Sequence, residues 1–177
     1  YDSDMEWDIG TPWYRSPRLL HLVAGGDYGW RTGSGKLSPD CPDTLSAVLN
    51  TDYSSPTGMV ATHRLAGAEL YGGDLLMADW AYGRLLSVKL MTQGLSVSGK
   101  VEVFAEGRPW NLSSLAAGPT GALWAITGGR GTESTLYRIA PKKKGSPPKP
   151  AFQNRASWEG SPDKNLDFLW NELSSQD

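Results

Sequence analysis

Two similar stretches decide the fold: Gly73-Asp74-Leu75-Leu76-Met77-Ala78-Asp79 and Gly121-Ala122-Leu123-Trp124-Ala125-Ile126-Thr127. Each is followed, after a glycine-containing turn, by a second apolar run at residues 83–90 and 134–140. This pattern of strand, turn and strand is typical of an antiparallel pair. The second unit follows the first by 48 residues, and a four-stranded repeat of about 40–50 residues is the size of a β-propeller blade. The repeat therefore predicts an all-β propeller fold, with a chance likeness between two hairpins as the alternative.

The rest of the chain extends this repeat. Arg18-Leu19-Leu20-His21-Leu22-Val23 is similar to residues 84–89, and we expect it to form the same strand of an earlier blade. We expect about two and a half four-stranded antiparallel blades in residues 1–140, namely the end of one blade in 1–31 and two more in 45–92 and 98–140. Residues 29–42, rich in glycine and proline, are predicted to be an irregular excursion.

The C-terminal part of the sequence has a different character. Residues 141–160 begin with Pro141-Lys142-Lys143-Lys144 and contain further proline and lysine, which predicts a stiff, solvated linker. Residues 161–177 are predicted to be an amphipathic helix and the start of a following helical domain, because four apolar side chains recur there with the spacing of one helix face. These four residues are Leu166, Leu169, Trp170 and Leu173.

Composition excludes several classes of protein. The chain has 177 residues, of which 39% are apolar and 20% charged, with 21 glycines and 12 prolines, and this is the composition of a turn-rich globular protein. The net charge of −2 gives no basic field, so we expect no nucleic-acid partner. A single cysteine, Cys41, excludes an internal disulfide and a multi-cysteine zinc site.

Familiar catalytic motifs are incomplete. Gly33-Ser34-Gly35-Lys36 resembles part of a phosphate-binding loop, but Trp30 and Leu37 stand where that loop needs glycine and a hydroxyl residue. The only histidines, His21 and His63, have no nucleophile-elbow sequence nearby. The sequence therefore supports neither nucleotide binding of this type nor triad hydrolysis.

An alternating acidic run opens the chain. Carboxylates this close repel one another unless a cation or an arginine compensates their charge. Calcium is one candidate, because it prefers oxygen ligands, and ion pairing with Arg15 or Arg18 is another. A solvated loop is the third alternative. The predicted metal ligands are Asp2, Asp4, Glu6 and Asp8.

Several motifs together resemble a known family, the glucose/sorbosone dehydrogenase-like β-propeller, in its planctomycete-type membrane-bound dehydrogenase branch. The motifs are residues 2–8, Pro12-Trp13-Tyr14-Arg15, Tyr28-Gly29-Trp30-Arg31, Ser55-Pro56-Thr57-Gly58 and residues 118–123. The resemblance covers about residues 1–140 and implies the C-terminal half of a six-bladed propeller. It further implies missing upstream blades, HEAT-type repeats and a c-type cytochrome domain in the same polypeptide, and a periplasmic, extracellular or cell-envelope location.

The resemblance also implies an activity, the oxidation of sugars or related alcohols with pyrroloquinoline quinone and calcium. In the family, a lysine and two arginines hold the quinone carboxylates, and these positions match Ala81, Asn111 and Ser113 here. Without these cations several charge-assisted hydrogen bonds are lost, so quinone binding is disfavoured. The family's calcium-binding stretch is also altered, with Pro17 and Arg18 in place of an Asp-Glu pair, and calcium stays possible.

Two functions therefore remain open. One is a sugar dehydrogenase-like domain of a larger exported redox protein, inactive as this fragment alone. The other is a non-catalytic carbohydrate-binding or assembly propeller that has lost the quinone site, with Trp7 and Trp110 among its stacking faces and core packing as the alternative for each tryptophan. For a sugar or polysaccharide ligand the predicted binding residues are Trp13, Arg15, Arg18, Asp79 and Trp80.

Overall fold

The structure is a computed structural model, and it describes residues 1–4, 12, 14–31, 35–38 and 40–141. The described part of the chain is all-β apart from two short 3-10 helices, Thr62–Arg64 and Ala68–Tyr71. Its strands in chain order are β1 (Asp2–Ser3), β2 (Arg18–Leu20), β3 (Trp30–Arg31), β4 (Gly35–Lys36), β5 (Leu49–Asn50), β6 (Pro56–Ala61), β7 (Leu75–Asp79), β8 (Arg84–Gln93), β9 (Ser96–Glu106), β10 (Leu112–Ala117), β11 (Leu123–Thr127) and β12 (Leu136–Ile139).

These strands form several small antiparallel sheets. The first sheet has the order β1-β2-β5, the middle sheet β6-β7-β8-β9, and the third sheet β10-β11-β12, while β3 and β4 form a separate hairpin. The predicted antiparallel pairs in residues 75–90 and 123–139 are therefore confirmed. The predicted linker and helix in residues 142–177 lie outside the described residues. No helix in the described ranges has the length and apolar character needed to cross a bilayer.

The boundary between the two later units differs from the sequence prediction. Residues 98–106 were expected in the last blade, but they belong to β9, which pairs with β8 from Gln93↔Ser96 to Arg84↔Glu106. The reason is a tight turn at Gly94, which has a φ of +61°, a value that favours glycine. This turn brings β9 back alongside β8. The third sheet therefore begins at β10.

A short hairpin occupies part of residues 29–42, where irregular structure was expected. Trp30 pairs with Lys36 and Arg31 with Gly35, and Gly35 has a φ of +69°, which a glycine adopts readily. The hairpin buries the side chain of Lys36, whose Nζ donates a hydrogen bond to the Arg15 carbonyl oxygen at 2.7 Å. This buried amine ties the excursion to the segment before β2.

The three sheets stack face to face, with the middle sheet covered on both sides. One face of β7, with Leu76 and Ala78, packs against a cluster that includes Leu123 of the third sheet. The other face, with Leu75 and Met77, belongs to a second cluster that includes Leu19 of the first sheet. Burial on both faces explains why β7 is apolar without alternation. In the described residues the sheets do not close into a ring.

The middle and third sheets lie in close contact at Gly58. A Cβ placed on this residue would lie 2.6 Å from the backbone nitrogen of Leu115 and 2.8 Å from Cα of Ser114. Beside it, the Thr57 hydroxyl donates to the Leu112 carbonyl oxygen at 2.8 Å. Only a residue without a side chain lets β6 lie this close to β10.

We therefore expect Gly58→Ala to destabilise the fold. The added methyl group must push two backbones apart, and overpacking of this kind costs about 1–3 kcal/mol of unfolding free energy. Urea unfolding followed by tryptophan fluorescence measures the change. An unchanged midpoint would mean that β6 and β10 are not in contact as described.

Candidate functional site

One edge of the stacked sheets, here called the rim, is formed by residues 51–55, 80–83, 107–111 and 128–135. These segments lie together because antiparallel strands bring alternate connections to the same edge. Hydrogen bonds join them directly: Trp80 N–H donates to the Ser55 carbonyl oxygen at 2.9 Å, and Gly107 N–H to that of Gly83 at 3.0 Å. The rim therefore combines loops from the middle and third sheets.

Asp79 is buried beneath the rim and binds two of its neighbours, Arg84 and the backbone of Ser55. Its side chain is 0% exposed, and one oxygen accepts a hydrogen bond from Arg84 Nε at 2.6 Å while the other accepts the Ser55 backbone N–H at 2.8 Å. Arg84 also donates to the Tyr53 carbonyl oxygen at 2.8 Å. The structure thus places Asp79, a predicted sugar-binding residue, beneath the surface with both oxygens bonded to protein donors.

An equivalent pair occurs in the first sheet. Arg18 Nε donates to Asp4 Oδ2 at 2.7 Å, and its Nη2 donates to the Tyr28 carbonyl oxygen at 2.8 Å. Lys36 Nζ lies 4.0 Å from Asp4 Oδ1, so two cations face this buried carboxylate. Of the alternatives for the acidic run, ion pairing with Arg18 is confirmed for Asp4.

Of the other three residues of the acidic run, the structure describes only Asp2. Asp2 is exposed and accepts a hydrogen bond from the Ser3 backbone N–H. Glu6 and Asp8 lie outside the described residues, as do Trp7 and Trp13. Within the part of the chain that the structure covers, no group of three or more His, Cys, Asp or Glu side chains is placed to hold a metal ion.

The first and middle sheets share an Asp–Arg corner, and the third sheet has a hydroxyl residue at the acidic position. Asp4 faces Arg18, and Asp79 faces Arg84, each at the end of one strand and the start of the next. In the third sheet Thr127 takes the acidic position, and its Oγ1 accepts the Thr135 backbone N–H at 3.0 Å. The sequence signal for this corner was the Arg-Leu-Leu shared by residues 18–20 and 84–86, and pairing of the acidic run with Arg18 was one of the alternatives, whereas the pairing of Asp79 with Arg84 was not predicted.

The accessible part of the rim is aromatic and cationic. The half-buried Trp80 is fixed by its Nε1, which donates to the Gly128 carbonyl oxygen at 2.7 Å. Arg130 lies with Cζ 5.4 Å from the centre of the Trp80 ring, within reach of a cation–π interaction. Arg130 has a φ of +50°, in the left-handed region that costs a non-glycine residue energy. The loop therefore holds Arg130 over Trp80 in a backbone conformation that its sequence alone does not favour.

Further tyrosines, absent from the sequence prediction, extend this surface. Tyr14 and Tyr53 stack with ring centres 4.9 Å apart, and the Tyr14 hydroxyl donates to the Asp52 carbonyl oxygen at 3.1 Å. Arg84 lies over the Tyr82 ring at 4.7 Å. We call the set the aromatic rim, and it consists of Tyr14, Tyr53, Trp80, Tyr82, Arg84 and Arg130. Trp110, in contrast, packs against the core with its ring edge-on to Tyr137.

Asn111 and Ser113, which the sequence resemblance matches to quinone anchors, donate to backbone carbonyl oxygens of the rim. Asn111 Nδ2 donates to the Trp80 carbonyl oxygen at 2.9 Å. The Ser113 hydroxyl donates to that of Gly128 at 2.8 Å. The Asn111 contact ties the segment before β10 to the middle sheet's loop, whereas the Ser113 contact lies within the third sheet, between β10 and the residue after β11.

The Tyr28-Gly29-Trp30-Arg31 motif is not part of the four segments that form the rim. The Tyr28 hydroxyl donates to the His21 carbonyl oxygen at 2.6 Å and fixes the chain after β2. Hydrogen bonds from Arg31 and from the Gly29 backbone lower the pKa of Asp27 to about 2. Asp27 and Arg31 are well exposed, so this ion pair is a surface feature.

Comparisons with protein families, with curated proteins and with solved structures find no match to this chain. The class that the structure defines is an all-β protein of stacked antiparallel sheets. The likeness to glucose/sorbosone dehydrogenase-like propellers remains an expectation from the sequence motifs.

Proposed function

We propose that residues 1–140 are consecutive blades of a β-propeller whose aromatic rim binds a carbohydrate, within a larger exported protein. The observation that carries this proposal is the fixed Trp80 ring with Arg130 beside it, at an edge where Asn111 and Ser113 donate to backbone carbonyl oxygens. The site is therefore one for recognition by aromatic and cationic side chains.

The stack of sheets supports the propeller part of this proposal. Blades of a propeller pack face to face around an axis, with their first strands side by side. Here β6 and β10, the first strands of the middle and third sheets, approach closely at Gly58. The corner formed by Asp79 and Arg84 recurs as Asp4 and Arg18. Both features are those expected of repeated units.

The chemistry of the rim supports a sugar ligand. A sugar ring has an apolar C–H face that packs on aromatic rings and a polar edge that accepts hydrogen bonds from arginine. Trp80, Tyr53 and Tyr82 offer rings, and Arg130 is an exposed donor. A protein–protein interface would also be rich in these residue types, so a direct binding test is needed.

The rim does not fit pyrroloquinoline quinone. That cofactor carries three carboxylates, and each charge-assisted hydrogen bond to it would contribute about 1.5–3 kcal/mol. Ala81 has no donor, and Asn111 and Ser113 are neutral and bonded to backbone carbonyls. Arg84 is already paired with Asp79. A carbohydrate needs no such set of cations, which favours the binding function over quinone chemistry.

Isothermal titration of the 177-residue chain with cellohexaose and with maltohexaose tests this proposal. We expect saturable binding to one of them, weakened at least about tenfold by Arg130→Ala, since a lost hydrogen bond to a charged group is worth more than 1.4 kcal/mol. Arg64→Ala, an exposed arginine in the 3-10 helix at the opposite edge, is the matched control and should bind normally. Equal loss in both variants, or no binding to either sugar, would contradict the proposal.

A sugar dehydrogenase-like function is the second candidate, because the motifs in residues 2–8 and 118–123 resemble those of sugar-oxidising propellers. It would belong to the full-length protein, with the upstream blades, HEAT-type repeats and c-type cytochrome domain that the resemblance implies. We expect no tight quinone binding on titration with pyrroloquinoline quinone and calcium. A submicromolar affinity would show that Arg84 or Arg130 has replaced the missing anchors, and would favour the dehydrogenase.

A further inference from the structure

The third sheet has an exposed apolar face, here called the outward face. It consists of Ala116, Trp124, Ile126 and Leu136, with Arg138 beside them. The pairings Ala116↔Trp124 and Ile126↔Leu136 place these side chains next to one another on the same side of the sheet. Ile126 is 42% exposed and Leu136 is 63% exposed. Large apolar side chains that adjoin in this way mark a surface that another element covers.

The corresponding face of the middle sheet is covered by another sheet. With the 48-residue offset, Trp124 and Ile126 occupy the positions of Leu76 and Ala78, which are both 0% exposed. Those two residues are buried because the third sheet packs on them. The outward face is therefore the position of the next layer in the stack, and β11 is apolar on both faces as β7 is.

We propose that in the 177-residue chain residues 161–177 form that layer, in the place that another blade takes in a closed propeller, with the stripe Leu166, Leu169, Trp170 and Leu173 packed on the outward face. The chain leaves the third sheet directly, since β12 ends at Ile139. The 19 residues from 142 to 160 can span roughly 60 Å when extended as a proline-rich segment. The covering segment therefore starts beside the face and has ample reach.

Charge complementarity agrees with this assignment. Arg138 lies opposite Trp124 and is exposed at the outward face. The segment 161–177 carries one lysine, Lys164, and four acidic residues, Asp163, Asp167, Glu172 and Asp177. An acidic amphipathic helix on an apolar face that bears an arginine gains both burial and ion pairing.

Hydrogen exchange of the 177-residue chain, followed by mass spectrometry, tests the docking. We expect amides in residues 163–173 to exchange at least about tenfold more slowly than in the variant Leu136→Asp, because docking protects them from local opening. Leu95→Asp is the matched control: Leu95 is 104% exposed at the β8–β9 turn, and its change should leave the protection intact. The variant Leu169→Asp, which leaves the sheet untouched, should lose the same protection.

Three outcomes would overturn the proposal. The first is exchange of residues 163–173 at the rate of an unstructured chain in the unchanged protein. The second is protection that survives both Leu136→Asp and Leu169→Asp. The third is protection that rises with protein concentration together with a dimer in sedimentation velocity, which would assign the outward face to a second copy.

Discussion

Replacing Asp79 with alanine is expected to lower the free energy of unfolding by about 3–5 kcal/mol, the cost of breaking a buried ion pair by removing one partner. The carboxylate is 0% exposed and accepts hydrogen bonds from Arg84 and from the Ser55 backbone N–H. Without it, the Ser55 N–H loses its acceptor and the Arg84 guanidinium is left partly buried without its counter-charge. The loops that form the rim would lose their common support.

Chemical denaturation measures this change, and Asp27→Ala is its control. Asp27 also pairs with an arginine, Arg31, at 2.6 Å, but both side chains are well exposed. Water and salt screen such a pair, so its loss should leave the unfolding midpoint within error. Similar effects of the two substitutions would mean that Asp79 is not buried beneath the rim.

Replacing Leu76 with alanine is the second change for which we expect a large effect, about 2–5 kcal/mol. Leu76 is 0% exposed and lies between the middle and third sheets, in the same cluster as Leu112 and Leu123. Truncation removes buried methyl groups and leaves a cavity that two facing sheets cannot fully close. For a domain with a typical stability of about 5–15 kcal/mol, this is a large fraction.

The matched control is Leu95→Ala, the same truncation at a fully exposed turn position. It should change the free energy of unfolding by no more than about 0.5 kcal/mol. Equal stability of the Leu76→Ala and Leu95→Ala proteins would contradict the stacking of the two sheets.

The sequence predicted the strands whose pattern is local. β7, β8, β11 and β12 follow from apolar runs separated by glycine turns, and the 48-residue offset relates them. β9 was assigned to the wrong sheet, because its own residues alternate like those of any half-exposed strand. The turn at Gly94 was the signal that fixed its partner, and it was outweighed by the expected repeat length.

The candidate site was less predictable, because its contacts join residues that are distant in the chain. Nothing local indicates that Asn111 donates to the Trp80 carbonyl oxygen or Ser113 to that of Gly128. The positive φ of Arg130 is likewise imposed by the fold. Charge compensation of Asp4 by Arg18 was predictable, since an alternating acidic run requires a cation.

The central claim is that the middle and third sheets stack face to face, because the rim and the outward face both follow from it. Nuclear Overhauser measurements on the 177-residue chain test it most directly. We predict strong cross-peaks between the Gly58 α-protons and the Leu115 amide proton, where β6 lies against β10. Absence of these cross-peaks, together with cross-strand contacts between β9 and β10 that would make one continuous sheet, would contradict the account.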